Sequence, residues 1–448
     1  MNVGNSQLEL IAKVKKYLAE KLNEKINVHS SGVCYFCSPG LTPGYVKLKL
    51  WNEGLKSLLT TYKILLKAII SISNLHNYHI INDPKNYTEY SKIIVSWAKK
   101  DDFLSDGTYF DRYFKLNSKN INKTLWFLVY QDEILPDKID NNILIFSKPQ
   151  KKLKYNFFYL IGSLLKNIIY LKFSPKKIIH RVSWFTEFSY LICLNIKKYI
   201  KNNTKVVIMP YEGPPFQNGI FKMCKEINNN VKTIGYVHSF PVGLPTNFVY
   251  RDGAPEELIV NGQDQYYCFE KHLNWNSKKI KILPSIRFKK GNLVNMAGFI
   301  YLPIIINSID TIIKSLENFI INNKEIVLPS FMIKNHPLSV NSKKHLKLIN
   351  QVNNLLLRHS TSFSKKNDMG NISIFIGATG SIIEALERGV EVLHVCEDAV
   401  LQSYSSDLWP SIKVNEISHN VFKYKLAKKG HLIEFGESNK ISENYHLN

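Results

Sequence analysis

Residues 372–395 read ISIFIGATGSIIEALERGVEVLHV. An apolar, β-branched run leads into Gly377-Ala378-Thr379-Gly380-Ser381, where a helical pattern begins. Small residues at a strand-to-helix turn let a ligand approach the backbone, and the free N–H groups and helix dipole there favour an anion. Thr379 and Ser381 add hydroxyl donors. Ser381 and Glu384 also stand at capping-box spacing. The loop therefore reads either as a phosphate site or as a plain turn that these two residues cap. It matches neither G-x-x-x-x-G-K-[ST] nor G-x-G-x-x-G, which counts against ATP hydrolysis and dinucleotide binding.

Upstream, Lys334-Asn335-His336-Pro337 follows the apolar run VLPSFMI. A histidine at the carboxyl end of a strand sits where open α/β sheets bind ligands, and its imidazole can donate to a phosphate. Pro337 stiffens that loop. In the first half, Met209-Pro210-Tyr211-Glu212-Gly213-Pro214-Pro215 again follows a strand pattern. Glu212, restrained by Gly and Pro, suits a general base acting on a hydroxyl; the alternative is a loop carboxylate that caps the next helix or faces solvent. The next strand end carries Tyr236-Val237-His238-Ser239, where His238 reads either as a catalytic partner or as a structural hydrogen-bonding group. If the strands are parallel, both loops lie on one sheet edge.

The elements that must position these groups alternate. Strand patterns at 205–209, 233–237, 257–260 and 279–283 enclose a helix at 217–228. A second series runs strand 299–306, helix 310–322, strand 326–333, helix 345–358, strand 372–376, helix 381–388 and strand 390–395. Such alternation predicts an α/β fold with parallel sheets. Residues 286–296 are basic and aperiodic, and a domain boundary is placed there, giving units 1–287 and 288–448. The first two hundred residues are less patterned: an amphipathic helix at 6–25, a helix at 55–72, the aromatic and charged stretch DGTYFDRYFK at 106–115, and strand-like TLWFLVYQ and NILIFS.

The motifs YEG, GYVHS, LPSIRF, KNHP and GATGSIIEALERGV together resemble the GT-B glycosyltransferases that use CMP-activated sugars, and more closely the surface-carbohydrate proteins of bacterial O-antigen and capsule clusters. The resemblance spans roughly residues 205–395. It implies two Rossmann-like domains facing a central cleft and an inverting transfer from a CMP-linked nonulosonic acid or Kdo-like donor to a glycan or lipid-linked acceptor, with no bound cofactor. No D-x-D stands in a convincing loop, so no catalytic metal is expected. By the resemblance Glu212 is the base, and Lys334, His336, Pro337, Gly377, Thr379, Gly380, Ser381 and Glu384 hold the nucleotide. His238 assists, and Tyr211, Gly213, Ser239 and Arg287 lie on the acceptor side. Tyr211 stands where sialyltransferases of that group have a second acidic residue. Rival readings are transfer of another nucleotide-linked sugar or a CDP-polyol, and a basic nucleic-acid-binding protein.

The chain has 448 residues, 45% of them hydrophobic and 21% charged, which excludes disorder as its main state. Its 59 Lys and Arg against 36 Asp and Glu leave a net charge of +23 and imply an anionic partner: nucleic acid, acidic lipid or a phosphorylated substrate. The mixture of Lys, Asn and Ile also follows from an AT-rich genome. No helix-turn-helix, RRM or zinc-finger pattern appears, so no nucleic acid is expected. Six cysteines, with Cys34 and Cys37 the lone C-x-x-C, point to a reducing compartment without a disulfide framework. The stretch 155–173, YNFFYLIGSLLKNIIYLKF, with lysines inside and around it, reads as a buried helix or as an interfacial one among acidic headgroups. With no secretory signal at Met1–Leu10, a cytoplasmic location is expected, at the inner face of the bacterial plasma membrane.

Overall fold

The computed structural model describes residues 2–23, 78–84, 89–119, 121, 123–147, 184–289, 295–322, 331–335, 342–359, 371–437 and 439–445. Cys34, Cys37, the helix expected at 55–72, the stretch 155–173, His336 and Pro337 lie outside them. Among the described residues no helix is long and apolar enough to cross a membrane. Of their cysteines, Cys224, Cys268 and Cys396 are buried and Cys193 is partly so, all four free.

The first half contains helix α1 (Val3–Asn23), strands β1 (His79–Ile81), β2 (Lys92–Ala98), β3 (Phe110–Asp111), β4 (Leu116–Asn117), β5 (Thr124–Tyr130) and β6 (Ile143–Ser147), and helix α2 (Trp184–Lys197). It continues with β7 (Val206–Pro210), α3 (Pro215–Ile227), β8 (Lys232–Tyr236), β9 (Glu257–Val260), α4 (Gln263–Lys271), β10 (Ile280–Ile282) and β11 (Ser285–Lys289). Eight strands form one sheet in the order β1-β6-β5-β2-β7-β8-β9-β10. Every neighbouring pair is parallel except β1 with β6. A parallel sheet is covered on both faces, so its strands are apolar throughout; all seven residues of β5 are buried. Ile93, Leu125, Phe127 and Val207 pack on one face with α2 and α3, and Ile94, Trp126, Leu128 and Ile208 on the other.

The second half holds β12 (Phe299–Tyr301), α5 (Ile309–Asn322), β13 (Met332–Lys334), α6 (Lys343–Arg358), β14 (Ile372–Ile376), α7 (Ser381–Glu387), β15 (Glu391–Val395), α8 (Ala399–Gln402), β16 (Ile412–Ser418), β17 (Val421–Leu426), β18 (Phe435–Gly436) and α9 (Lys440–Asn444). Its sheet runs β13-β12-β14-β15-β17-β16, parallel as far as β15 and then closed by an antiparallel hairpin. The expected strand at 299–306 stops at Tyr301, because Leu302 N–H still reaches Lys334 O but Pro303 has no donor to give.

One apolar core is continuous between the sheets, joining Met209, Ile220 and Phe248 to Phe375, Leu386 and Trp409. The chain ends cross over it. Gln7 of α1 donates to Val400 O and Ser403 O at 3.0 and 2.8 Å in the second half. Ile441 and Tyr445, at the end of the chain, pack under the first sheet. The division placed at 287/288 falls within β11, which pairs with β18.

Candidate active site

Strand β7 ends at Pro210, and the next residues are held by side chains from elsewhere. Gln217, at the start of α3, accepts from Glu212 N–H at 3.0 Å and Gly213 N–H at 3.1 Å, and donates to Pro210 O at 2.6 Å. Asn247 donates to Glu212 O at 2.6 Å. Buried Arg251 donates to Gly213 O at 2.5 Å and to Asn247 O at 3.1 Å. The turn is thus fixed at both faces of the Glu212 peptide, and Pro214 and Pro215 start α3 with no amide to satisfy. Tyr211 points the other way. It is buried among Phe221, Phe248 and Trp275, and its hydroxyl donates to Asn218 at 3.1 Å, so it belongs to the core and not to an acceptor surface.

The carboxylate of Glu212 lies 3.4 Å from His238 Nε2. Its side chain is 39% open, yet dense protein around it desolvates the charge and pushes its pKa up to about 7. Burial, with a smaller push from the Arg287 charge, brings His238 down to about 3. At neutral pH the pair is therefore a neutral imidazole beside a carboxyl close to its titration point. With the imidazole neutral, the contact is a close polar approach and not an ion pair. His238 cannot act there as a general acid, but it can orient Glu212. Its ring is flanked by Tyr113 at 4.7 Å and Trp97 at 6.4 Å, neither of which the sequence reading placed at the site. Ser239 follows half-buried, and Arg287 on β11 is exposed.

The glycine loop of the second half meets this edge directly. A Cβ on Gly380 would sit 2.8 Å from Phe240 O, two residues past His238. The Tyr404 hydroxyl lies 3.1 Å from Pro241 O and 3.4 Å from Thr379 O, bridging the two halves, and Trp409 Nε1–H donates to Gly243 O at 2.9 Å. Gly377 takes φ +67°, and its carbonyl accepts from buried His394 at 2.7 Å, which fixes the loop from below. Thr379 Oγ1 accepts from Ser381 N–H at 3.3 Å. Among the described residues, nothing accepts from the amides of Ala378, Thr379 and Gly380. Such an open run of donors after a left-handed residue suits an anion.

The capping box expected for Ser381 and Glu384 does not form. Gly380 is the N-cap, and Glu384 is drawn one turn onward to Arg388, whose Nε and Nη2 reach Oε1 at 3.0 and 2.9 Å. Lys334, at the end of β13, holds its ammonium 3.5 Å above the Phe299 ring and 5.5 Å from that of Tyr301, which stacks on Phe375 at 4.5 Å. The structure thus sets Glu212 beside His238 on one sheet edge, and the segment just past His238, Phe240 and Pro241, meets Gly380 and, through Tyr404, Thr379. Gln217, Asn247, Arg251, Trp97, Tyr113 and Tyr404 join them without having been expected. Of these, Tyr113 lay in the stretch the sequence marked at 106–115, and Gln217 at the start of the helix expected over 217–228.

No protein-family model matches the chain, and no curated protein matches its sequence. Among solved structures it is similar to the α,α-trehalose 6-phosphate synthase of Burkholderia multivorans, at 10% identity over 71% of this chain and 86% of that one, with a TM-score of 0.35. It is also similar to a glycosyltransferase of Rickettsia africae, at 13% identity over 69% and 79%, with a TM-score of 0.30. A third is the wall teichoic acid polymerase TagF, at 9% identity over 74% and 77%, with a TM-score of 0.26.

Proposed function

We propose that the chain is an inverting glycosyltransferase of the GT-B kind. The observation that carries this reading is the placement of Glu212, raised to about 7 on a clamped turn, in a seam where Phe240 meets Gly380 of the opposite loop. A base with a pKa near the working pH is well matched to removing a proton from a hydroxyl. The acceptor O–H gives its proton to Glu212 while the oxygen attacks the anomeric carbon. The bond from that carbon to the leaving phosphate oxygen breaks on the opposite face, so the configuration inverts. The charge left on phosphate is met by the amides of Ala378–Gly380 and the hydroxyls of Thr379 and Ser381.

In its finer form the donor is a CMP-linked nonulosonic acid or Kdo-like sugar, and the acceptor a surface glycan or lipid-linked saccharide. What supports this is the residue pattern of Lys334–Pro337 and Thr379–Ser381. The net charge of +23 suits contact with acidic lipid at the inner face of the membrane. A thermal-shift screen with CMP, CDP, UDP and GDP tests the donor class, since a ligand bound by the folded state alone raises Tm. CMP is expected to give the largest rise; a response confined to UDP or GDP overturns the CMP assignment, and no response to any of the four overturns the transferase reading.

The donors proposed at the phosphate are backbone amides and hydroxyls, which need no divalent ion. Transfer is therefore expected to persist in EDTA at close to its full rate. A rate abolished by chelation and restored by Mg²⁺ or Mn²⁺ would refute this phosphate site.

A further inference from the structure

The stretch at 106–115 was marked by its mixture of aromatic and charged residues, yet the transfer step above leaves it without a task. Its centre is Asp111, fully buried. One carboxylate oxygen accepts from Tyr113 N–H at 2.9 Å and Phe114 N–H at 2.5 Å. The other accepts from Tyr109 OH at 2.8 Å and from Ser96 Oγ. Among the described residues no cation pairs with this carboxylate; the adjacent Arg112 is paired with Asp102. Burial raises the Asp111 pKa, and a buried carboxylate without a counter-ion is costly unless its hydrogen bonds are complete.

Those bonds tie two segments together. Ser96 immediately precedes Trp97 near the end of β2, and the Tyr109 hydroxyl, whose one proton is shared with Asp111, also lies 3.1 Å from Trp97 O. Asp111 thereby fixes the Tyr113 loop against the strand end that carries Trp97. The result is two half-buried rings 5.5 Å apart at 60°, with Tyr113 edge-on to His238 at 4.7 Å. Phe216 supports Trp97 from behind at 6.2 Å.

We propose that Trp97 and Tyr113 form an acceptor subsite for a pyranose ring beside the Glu212–His238 pair, with Asp111 as the residue that positions the two rings. The proposal rests on the transferase reading of that pair and names its acceptor as a sugar. A pyranose presents faces of C–H bonds bordered by hydroxyls. Tyr and Trp offer a rigid apolar surface with a polar tip, which matches that pattern at little entropic cost. A phosphate would instead call for cations in contact with the pair, whereas the groups set against the His238 ring are the Glu212 carboxyl and the Trp97 and Tyr113 rings. Arg287 stands nearby on β11 and makes a lipid phosphate the competing occupant.

Saturation-transfer NMR on the full chain with a panel of methyl hexopyranosides tests this, with a short-chain polyprenyl phosphate as competitor. At least one glycoside is expected to receive saturation at its ring C–H protons. Tyr113→Ala should weaken it about tenfold, the scale of one aromatic contact, while Tyr113→Phe keeps it. Asp111→Asn should weaken the glycoside comparably and leave the Tm response to nucleotide in place. Saturation of no glycoside, saturation unchanged in both Tyr113→Ala and Trp97→Ala, or binding of the polyprenyl phosphate alone would overturn the subsite. A glycoside that binds this way when no nucleotide raises Tm keeps the subsite and sinks the transferase reading. The converse result sinks only the subsite.

Discussion

Glu212→Gln is expected to lower kcat by about 10²–10⁴-fold, the range contributed by a positioned general base. The substitution keeps the shape and hydrogen-bonding capacity of the side chain, so its neighbours at His238 and on the Gln217–Asn247 clamp stay in place. Donor binding, assigned to the other half, should change little. The pH profile separates this from a structural effect. Wild-type kcat/KM should fall about tenfold per pH unit below about 7, where Glu212 takes a proton, and level off above it. The variant should lose that limb. Stability carries the opposite sign. Because folding raises the Glu212 pKa above its usual 4.5, its ionisation works against the fold as pH rises from there through about 7. The variant should therefore melt at or above the wild-type temperature at pH 8, with no advantage near pH 4. A rate close to wild type, or a profile unchanged in shape, would remove Glu212 from the chemistry.

The regular elements that flank the site were legible because each is a continuous apolar run ended by a breaker. β7 stops at Pro210, and β14 runs into Gly377. Strand β2 was not read, although KIIVSWA is as apolar as its neighbours. It lies between β5 and β7 in the sheet, and nothing in the local pattern announces a partner more than a hundred residues downstream. Helix α2 went unread for a similar reason, since its pattern follows a long stretch of mixed Lys and aromatic residues. The loops show a different limit. Glu212 and Gly213 were legible as types, but the groups that hold them act through backbone atoms. Arg251 donates to three carbonyl oxygens, and no charge pattern in the sequence marks an arginine whose partners are peptides. Spacing also misled at Ser381 and Glu384, where a competing partner one turn ahead, Arg388, took the carboxylate.

Gly213 shows how far the turn depends on one missing side chain. The sequence reading placed this glycine on the acceptor side; the structure gives it φ +77°, a conformation L residues rarely adopt. A Cβ there would fall on the carbonyl oxygen of Asn247, well inside the distance real Cβ atoms keep. Asn247 cannot retreat freely, since its amide holds Glu212 O and its carbonyl accepts from buried Arg251. Gly213→Ala must therefore strain the backbone or push the 247 segment outward and release the Glu212 carbonyl. Together these should cost about 2–4 kcal/mol of stability, from left-handed strain, steric overlap and loosened hydrogen bonds. Activity should fall further than the folded fraction, because the carboxylate loses its aim even in molecules that remain folded. The check is kcat per folded molecule, measured well below the lowered Tm, beside the melting curve. Destabilisation with unchanged kcat per folded molecule would mean that the clamp serves the fold alone.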